Sequence, residues 1–224
     1  MKYKAIIFDM DGTITDSEHA WRKATRDLVI HKGGIFTEEK YNELENELKG
    51  LALPKSCKLL KDLIGIEDTV EELIEEKRNR ALKLLTESLN FINGFESFHK
   101  SLVNKNILTG IATNADDSTL TISKNKLSLE SFFGEHIYNI SDVKESKPHP
   151  ELYLYAANKL SIEPNYCIAI EDSAHGVRAA KQAGMFCIGI NTANNRDALH
   201  ESDLIIDHYD EIELERLLRR KGIK

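Results

Sequence analysis

The chain has 224 residues, a net charge of −7 and 41% hydrophobic residues. This length is enough for one full hydrophobic core and a smaller second domain. The acidic balance argues against nucleic acid or an anionic membrane as a partner. No apolar stretch approaches the roughly 18 residues that a membrane-spanning helix needs. Because the N-terminal Met-Lys-Tyr-Lys runs straight into an apolar strand pattern, we expect no signal peptide.

The three cysteines, Cys57, Cys167 and Cys187, are odd in number and widely spaced. They fit a reducing compartment and lack the spacing of metal ligands. Cys167 and Cys187 lie early in apolar runs that could form neighbouring strands, which allows a disulfide, but we expect buried free thiols. We therefore expect a cytoplasmic protein. Since the sequence gives no sign of an interface, we expect a monomer.

The first predicted element is the apolar run Ala5 to Phe8, which leads directly into Asp9, Asp11 and Gly12. A short apolar run bounded by turn residues is typical of a buried strand in a parallel sheet. Ligands bind at the carboxyl ends of such strands. Two carboxylates there repel each other unless a cation or a proton lies between them. The pattern therefore indicates either a Mg²⁺ site with oxygen ligands or simply a turn built from Asp and Gly.

Residues 16–89 contain almost no strand pattern and are predicted to form consecutive helices, which we call the helical insertion. The predicted helices run from Asp16 or Ser17 to about Ile30, from Thr37 to Leu48, from Pro54 to near Gly65, and onward from a capping box of Thr69 and Glu72. Proline in a first turn and a Thr–Glu capping box are N-terminal signals of helices. The segment Asn90 to Gly94 is predicted to lead the chain back to the core.

From residue 90 onward, apolar runs alternate with amphipathic segments. The predicted strands are Ile107–Ala112, His136–Asn139, Tyr166–Ile170, Phe186–Ile190 and Leu204–Ile206. Strands that alternate with helices imply right-handed crossovers and a parallel sheet covered by helices on both faces. We therefore predict an α/β, Rossmann-like core domain formed by residues 1–15 and 90–224, with residues 16–89 inserted as a helical domain.

Polar residues follow three more of the predicted strands or lie just beyond them. They are Thr113 and Asn114, Lys147 before a proline, and the acidic pair Glu171 and Asp172. Each has an ordinary structural explanation, since Thr113 or Asp172 could cap a helix and Lys147 could be solvated. Because the carboxyl ends of parallel strands share one edge of the sheet, their common location favours a single site.

Phosphoryl transfer is the chemistry that needs this set of side chains. Asp9 can attack phosphorus as a carboxylate nucleophile, which splits one difficult displacement into two easier ones. Asp11 can protonate the leaving oxygen and then deprotonate the hydrolytic water. Mg²⁺ held by Asp9, Asp172 and, as a further candidate, Glu171 would neutralise charge that otherwise repels a phosphate dianion. The equatorial oxygens of the transferring group can be held by Lys147 and Thr113.

Four motifs in chain order resemble those of the haloacid dehalogenase superfamily. They read Asp9-Met-Asp11-Gly-Thr, Ala-Thr113-Asn114, Ser-Lys147-Pro-His-Pro and Glu171-Asp172-Ser173. The helical insertion after the first motif resembles the small helical cap of this family. Within it, the sequence is most similar to the branch that contains phosphoglycolate phosphatase, sugar-phosphate phosphatases and β-phosphoglucomutase.

The resemblance implies a role for each motif residue. Asp9 would be the nucleophile and Asp11 the general acid and base. The phosphate-binding residues would be Thr113, Asn114 and Lys147. Mg²⁺ would bind to Asp9, Asp172 and the backbone carbonyl of Asp11, with Glu171 supporting the same metal site. The presence of Asp11 also argues against the dehalogenases of the family, which lack this second aspartate and use no metal.

The helical insertion departs from these relatives at its first hinge, which reads Asp-Ser-Glu-His19-Ala-Trp21. Trp21 occupies the position where many members have a histidine, and Leu53 follows Lys49-Gly at the apparent position of an arginine in β-phosphoglucomutase. Both differences favour a hydrolase over a mutase. The candidate substrate-selecting residues are His19, Trp21, Lys49 and Leu53. The alternatives are burial of Trp21 in the core of the insertion and a solvated role for His19 and Lys49.

We therefore predict a Mg²⁺-dependent phosphatase that acts on a small phosphorylated metabolite, such as a sugar phosphate, through an aspartyl-phosphate. The alternative among enzymes is a phosphomutase similar to β-phosphoglucomutase. The alternative from another class is a non-catalytic binding or regulatory module on the same scaffold. Loss of motif residues would mark such a module, whereas Asp9, Asp11, Lys147 and Asp172 are all present.

Overall fold

A six-stranded parallel sheet forms the centre of the molecule, in the strand order β3-β2-β1-β4-β5-β6. The computed structural model describes residues 3–219; Met1 and Lys2, on which the expectation of no signal peptide partly rests, lie outside the described residues. The strands are β1 (Ala5–Phe8), β2 (Leu108–Ala112), β3 (Ile137–Tyr138), β4 (Cys167–Glu171), β5 (Phe186–Ile190) and β6 (Leu204–Ile206). The predicted α/β, Rossmann-like fold is thereby confirmed.

Helices cover both faces of the sheet because successive strand residues point to opposite sides. On β1, Ile6 and Phe8 belong to one buried hydrophobic cluster, whereas Ala5 and Ile7 belong to another. The helices of the core are α5 (Phe95–Val103), α6 (Asp117–Leu127), α7 (Glu130–Phe133), α8 (Glu151–Lys159), α9 (Ala174–Gln182) and α10 (Leu214–Arg219). Helices α8 and α9 pack on the face of Ala5 and Ile7, so β1 is buried on both sides.

Every predicted strand agrees with the structure to within one residue at each end. β4 begins one residue later than predicted and includes Glu171, which places this carboxylate inside the sheet. β3 contains only Ile137 and Tyr138 of the four predicted residues. Asn139 leaves the strand because its side chain accepts a hydrogen bond from the backbone N–H of Ser141 and starts a short 3₁₀ turn.

The helical insertion consists of α1 (Glu18–His31), α2 (Glu38–Leu48), α3 (Leu53–Ile64) and α4 (Val70–Ser88). The helix ends follow the sequence signals. Thr37 caps α2, Gly65 ends α3 in the left-handed conformation, and Thr69 forms the predicted capping box with Glu72. Apolar residues from all of these helices form a hydrophobic cluster of their own, including Leu28, Leu44, Leu60 and Leu73.

The helical insertion lies over the carboxyl edge of the sheet and contacts the core through apolar packing, as between Leu85 and Ile122, and through polar bonds. The guanidinium of Arg78 pairs with Asp116 at 2.6 Å. The side chain of Asn195 donates a hydrogen bond to that of Asn46 at 3.0 Å. A cavity of about 460 Å³ lies between the helical insertion and the core, so the edge of the sheet is partly enclosed.

The cysteines are free and buried, as expected. Cys187 on β5 lies opposite Ala169 on β4, and Cys167 lies two residues before Ala169, so the two cysteines are not at paired positions. Among the helices of residues 3–219, none combines the length and apolar character needed to cross a membrane.

Candidate active site

Strand register brings the motif residues to one edge of the sheet. Phe8 at the end of β1 lies opposite Ile111 on β2 and Ile170 on β4. The residues that follow these three strand positions therefore emerge side by side at the carboxyl edge. After β1, the residue at this edge is Asp9. Its backbone N–H continues the pairing with β4 by donating to the carbonyl of Ile170 at 2.9 Å.

The turn after Asp9 is shaped by Gly12, whose φ is +82°. This left-handed conformation is costly for residues with a side chain. Its backbone N–H donates to the carbonyl of Thr15 at 2.8 Å, which closes the turn. A Cβ atom at this position would lie 2.0 Å from Oδ2 of Asp172. Glycine is therefore required both by the backbone and by the close approach of the acidic motif.

Lys147 is fully enclosed and bridges two carboxylates. Its Nζ donates to Oδ1 of Asp9 at 2.6 Å and to Oε1 of Glu171 at 2.5 Å, and the side chain is 1% exposed. The hydroxyl of Tyr153 on α8 donates to the same Oε1 at 2.8 Å. The hydroxyl of Ser173 donates to Oε2 of Glu171 at 3.2 Å. Glu171 is thus an anchor for Lys147 with both of its oxygens engaged.

Negative charge exceeds positive charge around Asp9. Burial raises the pKa of Asp9 well above its usual range, the carboxylates of Glu171 and Asp172 add to this rise, and Lys147 opposes it. Burial disfavours the ammonium of Lys147, but the carboxylates of Asp9 and Glu171 outweigh it and raise its pKa. Lys147 is therefore charged, and the cluster still lacks a positive charge.

The acidic cluster fits a hard divalent cation. Asp9, Glu171 and Asp172 each offer an oxygen within 4.8 Å of the others, and all three are buried. Burial raises the pKa of Asp172 to about 6, although Lys49 counteracts it. A divalent cation with oxygen ligands would offset this excess of negative charge. Because hydrogen bonds occupy both oxygens of Glu171, Asp9 and Asp172 are the better ligands.

Asp11 is held at the hinge between the core and the helical insertion. The hydroxyl of Ser17 donates to its Oδ1 at 2.6 Å. Ser17 is the N-cap residue of α1, in agreement with the predicted helix start, but its side chain makes no capping bond there. Burial raises the pKa of Asp11, and hydrogen bonds from the side chains of Ser17 and Trp21 partly offset this. A raised pKa suits a carboxyl group that must donate a proton.

Thr113 and Asn114 differ in what their side chains do. Thr113 is buried, and its hydroxyl oxygen accepts from the backbone N–H of Ala115 at 3.0 Å, so the O–H can still donate to a ligand. The helix that follows is capped by Asp116 and not by Thr113. The amide of Asn114 donates to the carbonyls of Gly50 at 2.8 Å and Lys147 at 3.2 Å.

Asn114 also accepts a hydrogen bond from the backbone N–H of Lys147 at 3.0 Å. All of these bonds are to backbone groups. The structure therefore engages Asn114 in joining the helical insertion to the Lys147 loop, which differs from the predicted phosphate-binding role. Asp172 does not cap α9 either, because the cap is Ser173, whose hydroxyl accepts from the backbone N–H of Gly176 at 3.1 Å.

The predicted substrate-selecting residues fall into two groups. Trp21, Lys49 and Leu53 line the cavity together with Asp9 and Asp11. Trp21 also packs against two hydrophobic clusters, as its interpretation as a packing residue predicts, and its role in substrate selection stays a prediction. The expectation that Lys49 is solvated is wrong, since its Nζ lies 2.7 Å from Oδ2 of Asp172.

His19 is exposed and lies outside the lining of the cavity. It is two positions before Trp21 on α1, and residues two apart on a helix do not share a face. The structure therefore does not bring His19 to the cavity, and the position gives no support to the prediction that it contacts substrate.

Sequence reasoning missed the residues that support the motif side chains. Tyr153 holds Glu171, and Ser17 holds Asp11. Gly176 on α9 leaves room for the Glu171 carboxylate, since a Cβ atom there would lie 1.9 Å from Cδ of Glu171. Tyr153 lies in an amphipathic segment without any local signal of function. A glycine inside an otherwise helical segment was the one available sign of a close approach.

Comparison with known proteins gives a consistent result. Residues 6–190 match a family model described as haloacid dehalogenase-like hydrolase. The chain is 31% identical over 216 residues to the YhcW protein of Bacillus subtilis, with 96% of each chain covered. It is 28% identical over 204 residues to the phosphorylated carbohydrates phosphatase of Thermotoga maritima, covering 90% of this chain and 92% of that protein. The structure of β-phosphoglucomutase from Clostridium difficile is similar with a TM-score of 0.81 at 28% identity, covering 96% of this chain and 95% of that one.

Proposed function

The chain belongs to the haloacid dehalogenase-like hydrolases, and from this premise we propose that it is a Mg²⁺-dependent phosphatase of small phosphorylated carbohydrates. The observation that carries the proposal is the position of Asp9. It is a buried carboxylate at the carboxyl end of the central strand, with the ammonium of Lys147 2.6 Å from its Oδ1. A nucleophile beside a fixed cation is what attack on a phosphate monoester needs.

In the proposed reaction, Asp9 attacks the phosphorus and the bond to the sugar oxygen breaks. Asp11 gives its proton to the leaving oxygen, and the product is an aspartyl-phosphate on Asp9. Asp11, now a carboxylate, takes a proton from water, which attacks the aspartyl-phosphate and releases inorganic phosphate. Lys147 and the hydroxyl of Thr113 hold the equatorial oxygens of the transferring group.

Mg²⁺ bound by Asp9 and Asp172 would supply electrostatic stabilisation of the charge on the transferring phosphoryl group. Glu171 acts through Lys147, which it holds at 2.5 Å. We assign to Asn114 the positioning of the Lys147 backbone, in line with its three backbone hydrogen bonds.

We further propose that the helical insertion acts as a cap that excludes bulk water during the reaction and opens to release product. The hydrogen bond from Asn114 to the carbonyl of Gly50 supports this role, because Asn114 also bonds to Lys147 and so links the proposed phosphate-binding residues to the helical insertion. Trp21 and Leu53 form an apolar part of the cavity wall. This part would pack against a bound sugar phosphate and hold it in one orientation.

The test is phosphate release from a panel of sugar and short-chain phosphates with Mg²⁺, for the wild type and for Asp9→Asn. We expect the wild type to release phosphate and Asp9→Asn to lose activity by at least about a thousandfold, since the amide is no nucleophile. Circular dichroism should show an unchanged fold. The matched control is Asp62→Asn, an exposed aspartate of α3, which should keep full activity. Activity retained in Asp9→Asn would overturn the assignment of the nucleophile.

A phosphomutase is the second candidate, favoured by the TM-score of 0.81 to a β-phosphoglucomutase. A mutase would convert a hexose 1-phosphate into the 6-phosphate in the presence of a bisphosphate, with little release of inorganic phosphate. Phosphorus NMR of such a mixture distinguishes the two activities, because the sugar phosphate and inorganic phosphate products give separate signals.

A further inference from the structure

The turn that carries Asp11 is held from outside by two side-chain hydroxyls. The hydroxyl of Thr192, which follows β5, donates to the backbone carbonyl of Gly12 at 2.7 Å. The hydroxyl of Tyr209, which lies beyond β6, donates to the backbone carbonyl of Thr13 at 3.0 Å. The two donors are 180 and 196 positions further along the chain than their acceptors. Two consecutive carbonyls next to Asp11 are thus bound by the C-terminal part of the core.

Tyr209 is suited to this contact because its ring is packed on several sides. The residue is 1% exposed, and its ring lies against those of Phe98 and Phe95, with centroid distances of 5.2 and 6.0 Å. Burial, with a smaller effect of the carboxylates of Asp172 and Asp9, raises the pKa of Tyr209 well above its usual range. The hydroxyl therefore keeps its proton and donates it to the turn from a fixed position.

The turn needs such support because its central residue is a glycine. Gly12 has a φ of +82°, and a residue without a side chain restricts its own backbone least. Bonds within the turn hold its other part, since the N–H groups of Ile14 and Thr15 both donate to the carbonyl of Met10 at 2.9 Å. Asp11 lies directly before Gly12. A change in the backbone of Gly12 would therefore move the Asp11 carboxyl group.

The alternative is that the two hydroxyls only satisfy buried carbonyl groups, as every fold requires. Their position favours a further role, because both carbonyls belong to the two residues after Asp11. The bond from Ser17 orients the Asp11 carboxyl group but does not fix the backbone from which that group projects. Neither Thr192 nor Tyr209 is among the residues that line the cavity, so both would act through the turn and not through contact with the substrate.

We propose that Thr192 and Tyr209 are positioning residues that fix the turn, so that the carboxyl group of Asp11 faces the leaving oxygen of the substrate. The inference rests on the proposed function, because it takes from there the role of Asp11 as general acid. Loss of either hydroxyl should misplace the proton donor. It should leave the nucleophile Asp9 in place, since the backbone N–H of Asp9 is bonded to the carbonyl of Ile170 on β4.

The test compares two leaving groups in Tyr209→Phe and Thr192→Val. A sugar alkoxide needs a proton from Asp11 in order to leave, whereas the phenolate of p-nitrophenyl phosphate leaves without one. The parameter is kcat/KM, which includes formation of the aspartyl-phosphate and excludes its hydrolysis. We expect it to fall by about tenfold or more for the sugar phosphate that the wild type hydrolyses fastest, and by less than about twofold for p-nitrophenyl phosphate.

The matched controls remove hydroxyls of the same kind elsewhere. Tyr138→Phe removes a hydroxyl of β3 that is bonded to a histidine ring at 3.0 Å, and Thr121→Val removes one of α6 that donates to a backbone carbonyl at 2.7 Å. Both controls should keep the wild-type ratio of the two kcat/KM values. Equal losses on both substrates in Tyr209→Phe and Thr192→Val, or no loss on the sugar phosphate, would overturn the inference. Either variant suffices should the other fail to fold.

Amide hydrogen exchange tests the support of the turn without turnover. The N–H groups of Gly12 and Thr15 are bonded within the turn, and their exchange, followed by NMR, reports how often the turn opens. We expect this exchange to be about tenfold faster in Tyr209→Phe, as loss of one hydrogen bond would give, and unchanged in Tyr138→Phe. Unchanged exchange in Tyr209→Phe would refute the support of the turn. Absence of phosphate release by the wild type from every substrate would instead refute the proposed function.

Discussion

Lys49 of the helical insertion forms an ion pair with Asp172 of the core, with Nζ 2.7 Å from Oδ2. The ammonium also lies 3.1 Å from a carboxylate oxygen of Glu18. Burial disfavours its charge, but the two carboxylates outweigh this effect and raise the pKa of Lys49. A cationic side chain therefore occupies one oxygen of Asp172, the residue that we propose as a ligand of Mg²⁺, and the two cations compete for one carboxylate.

We predict that Lys49→Met binds Mg²⁺ more tightly than the wild type. Metal binding to the wild type must displace the ammonium from Asp172, and an ion pair worth ~1.4 kcal/mol corresponds to about a tenfold change in the dissociation constant. Isothermal titration with Mg²⁺ in the absence of substrate measures this. The control is Lys58→Met, an exposed lysine of α3, which should bind as the wild type does. Unchanged or weaker binding by Lys49→Met would show that Lys49 does not compete with the metal.

Gly176→Ala should destabilise the protein although alanine is the better helix former. In an ordinary helix interior, this change stabilises by about 1 kcal/mol. Here the new Cβ would lie 1.9 Å from Cδ and Oε1 of Glu171, and that carboxylate cannot move freely because Lys147, Tyr153 and Ser173 hold it.

We expect the free energy of unfolding of Gly176→Ala to fall by about 1–3 kcal/mol, as for other overpacked sites, and phosphatase activity to fall with it. Urea unfolding followed by circular dichroism measures the first effect. Arg178→Ala, at an exposed position of the same helix, should stay within about 0.5 kcal/mol of the wild type. An increase in stability for Gly176→Ala would mean that Glu171 relaxes without cost.

Tyr153→Phe should also lower the stability of the protein, because it removes one of the hydrogen bonds that hold Glu171. The change keeps the ring but removes the hydroxyl that donates to Glu171 at 2.8 Å. Loss of a buried hydrogen bond to a charged group costs about 1.5–3 kcal/mol. Thermal unfolding should show the lower stability, and Tyr155→Phe, at a half-buried position of the same helix, should have a smaller effect. Equal effects of the two variants would contradict the importance of this bond.

The sequence was sufficient to predict features that depend on neighbouring residues. The limits of β5 and β6 agree with prediction at each end, because apolar runs bounded by turn residues are local signals. Thr37 and Thr69 cap helices as predicted for the same reason. Asp9 and Asp172 could be placed together from strand order alone, since parallel strands end at one edge of the sheet.

Other features depend on how helices pack, and sequence spacing does not determine this. Tyr153 reaches Glu171 because α8 packs on the face of the sheet that carries Ala5 and Ile7. The pairing of Lys49 with Asp172 depends on the position of the helical insertion over the core. Neither relationship has a periodic pattern or a motif that would reveal it, so a solvated Lys49 was the reasonable expectation.

Acid should selectively remove one source of stability in the helical insertion. Oε1 of Glu76 on α4 pairs with Arg80 and His31, each at 2.6 Å, and Oε2 pairs with Lys32 at 3.0 Å. Burial alone would raise the pKa of Glu76, but hydrogen bonds from these three residues outweigh it and lower the pKa to about 2. Because the folded-state pKa lies below the unfolded value of about 4.3, the carboxylate stabilises the fold above that value. This contribution is lost as the pH falls towards 2.

We therefore predict that Glu76→Gln is less stable than the wild type at pH 7, by about 1 kcal/mol after allowance for solvent screening of this partly exposed network. The difference should shrink steadily between about pH 4.5 and pH 2, where the wild-type carboxylate also becomes neutral. Melting temperatures of the two proteins at pH 7, 4 and 3 measure this convergence. Glu75→Gln, at an exposed position of the same helix, should differ little from the wild type at any of these values. A gap between Glu76→Gln and the wild type that stays constant from pH 7 to pH 3 would show that Glu76 acts through packing and not through its charge.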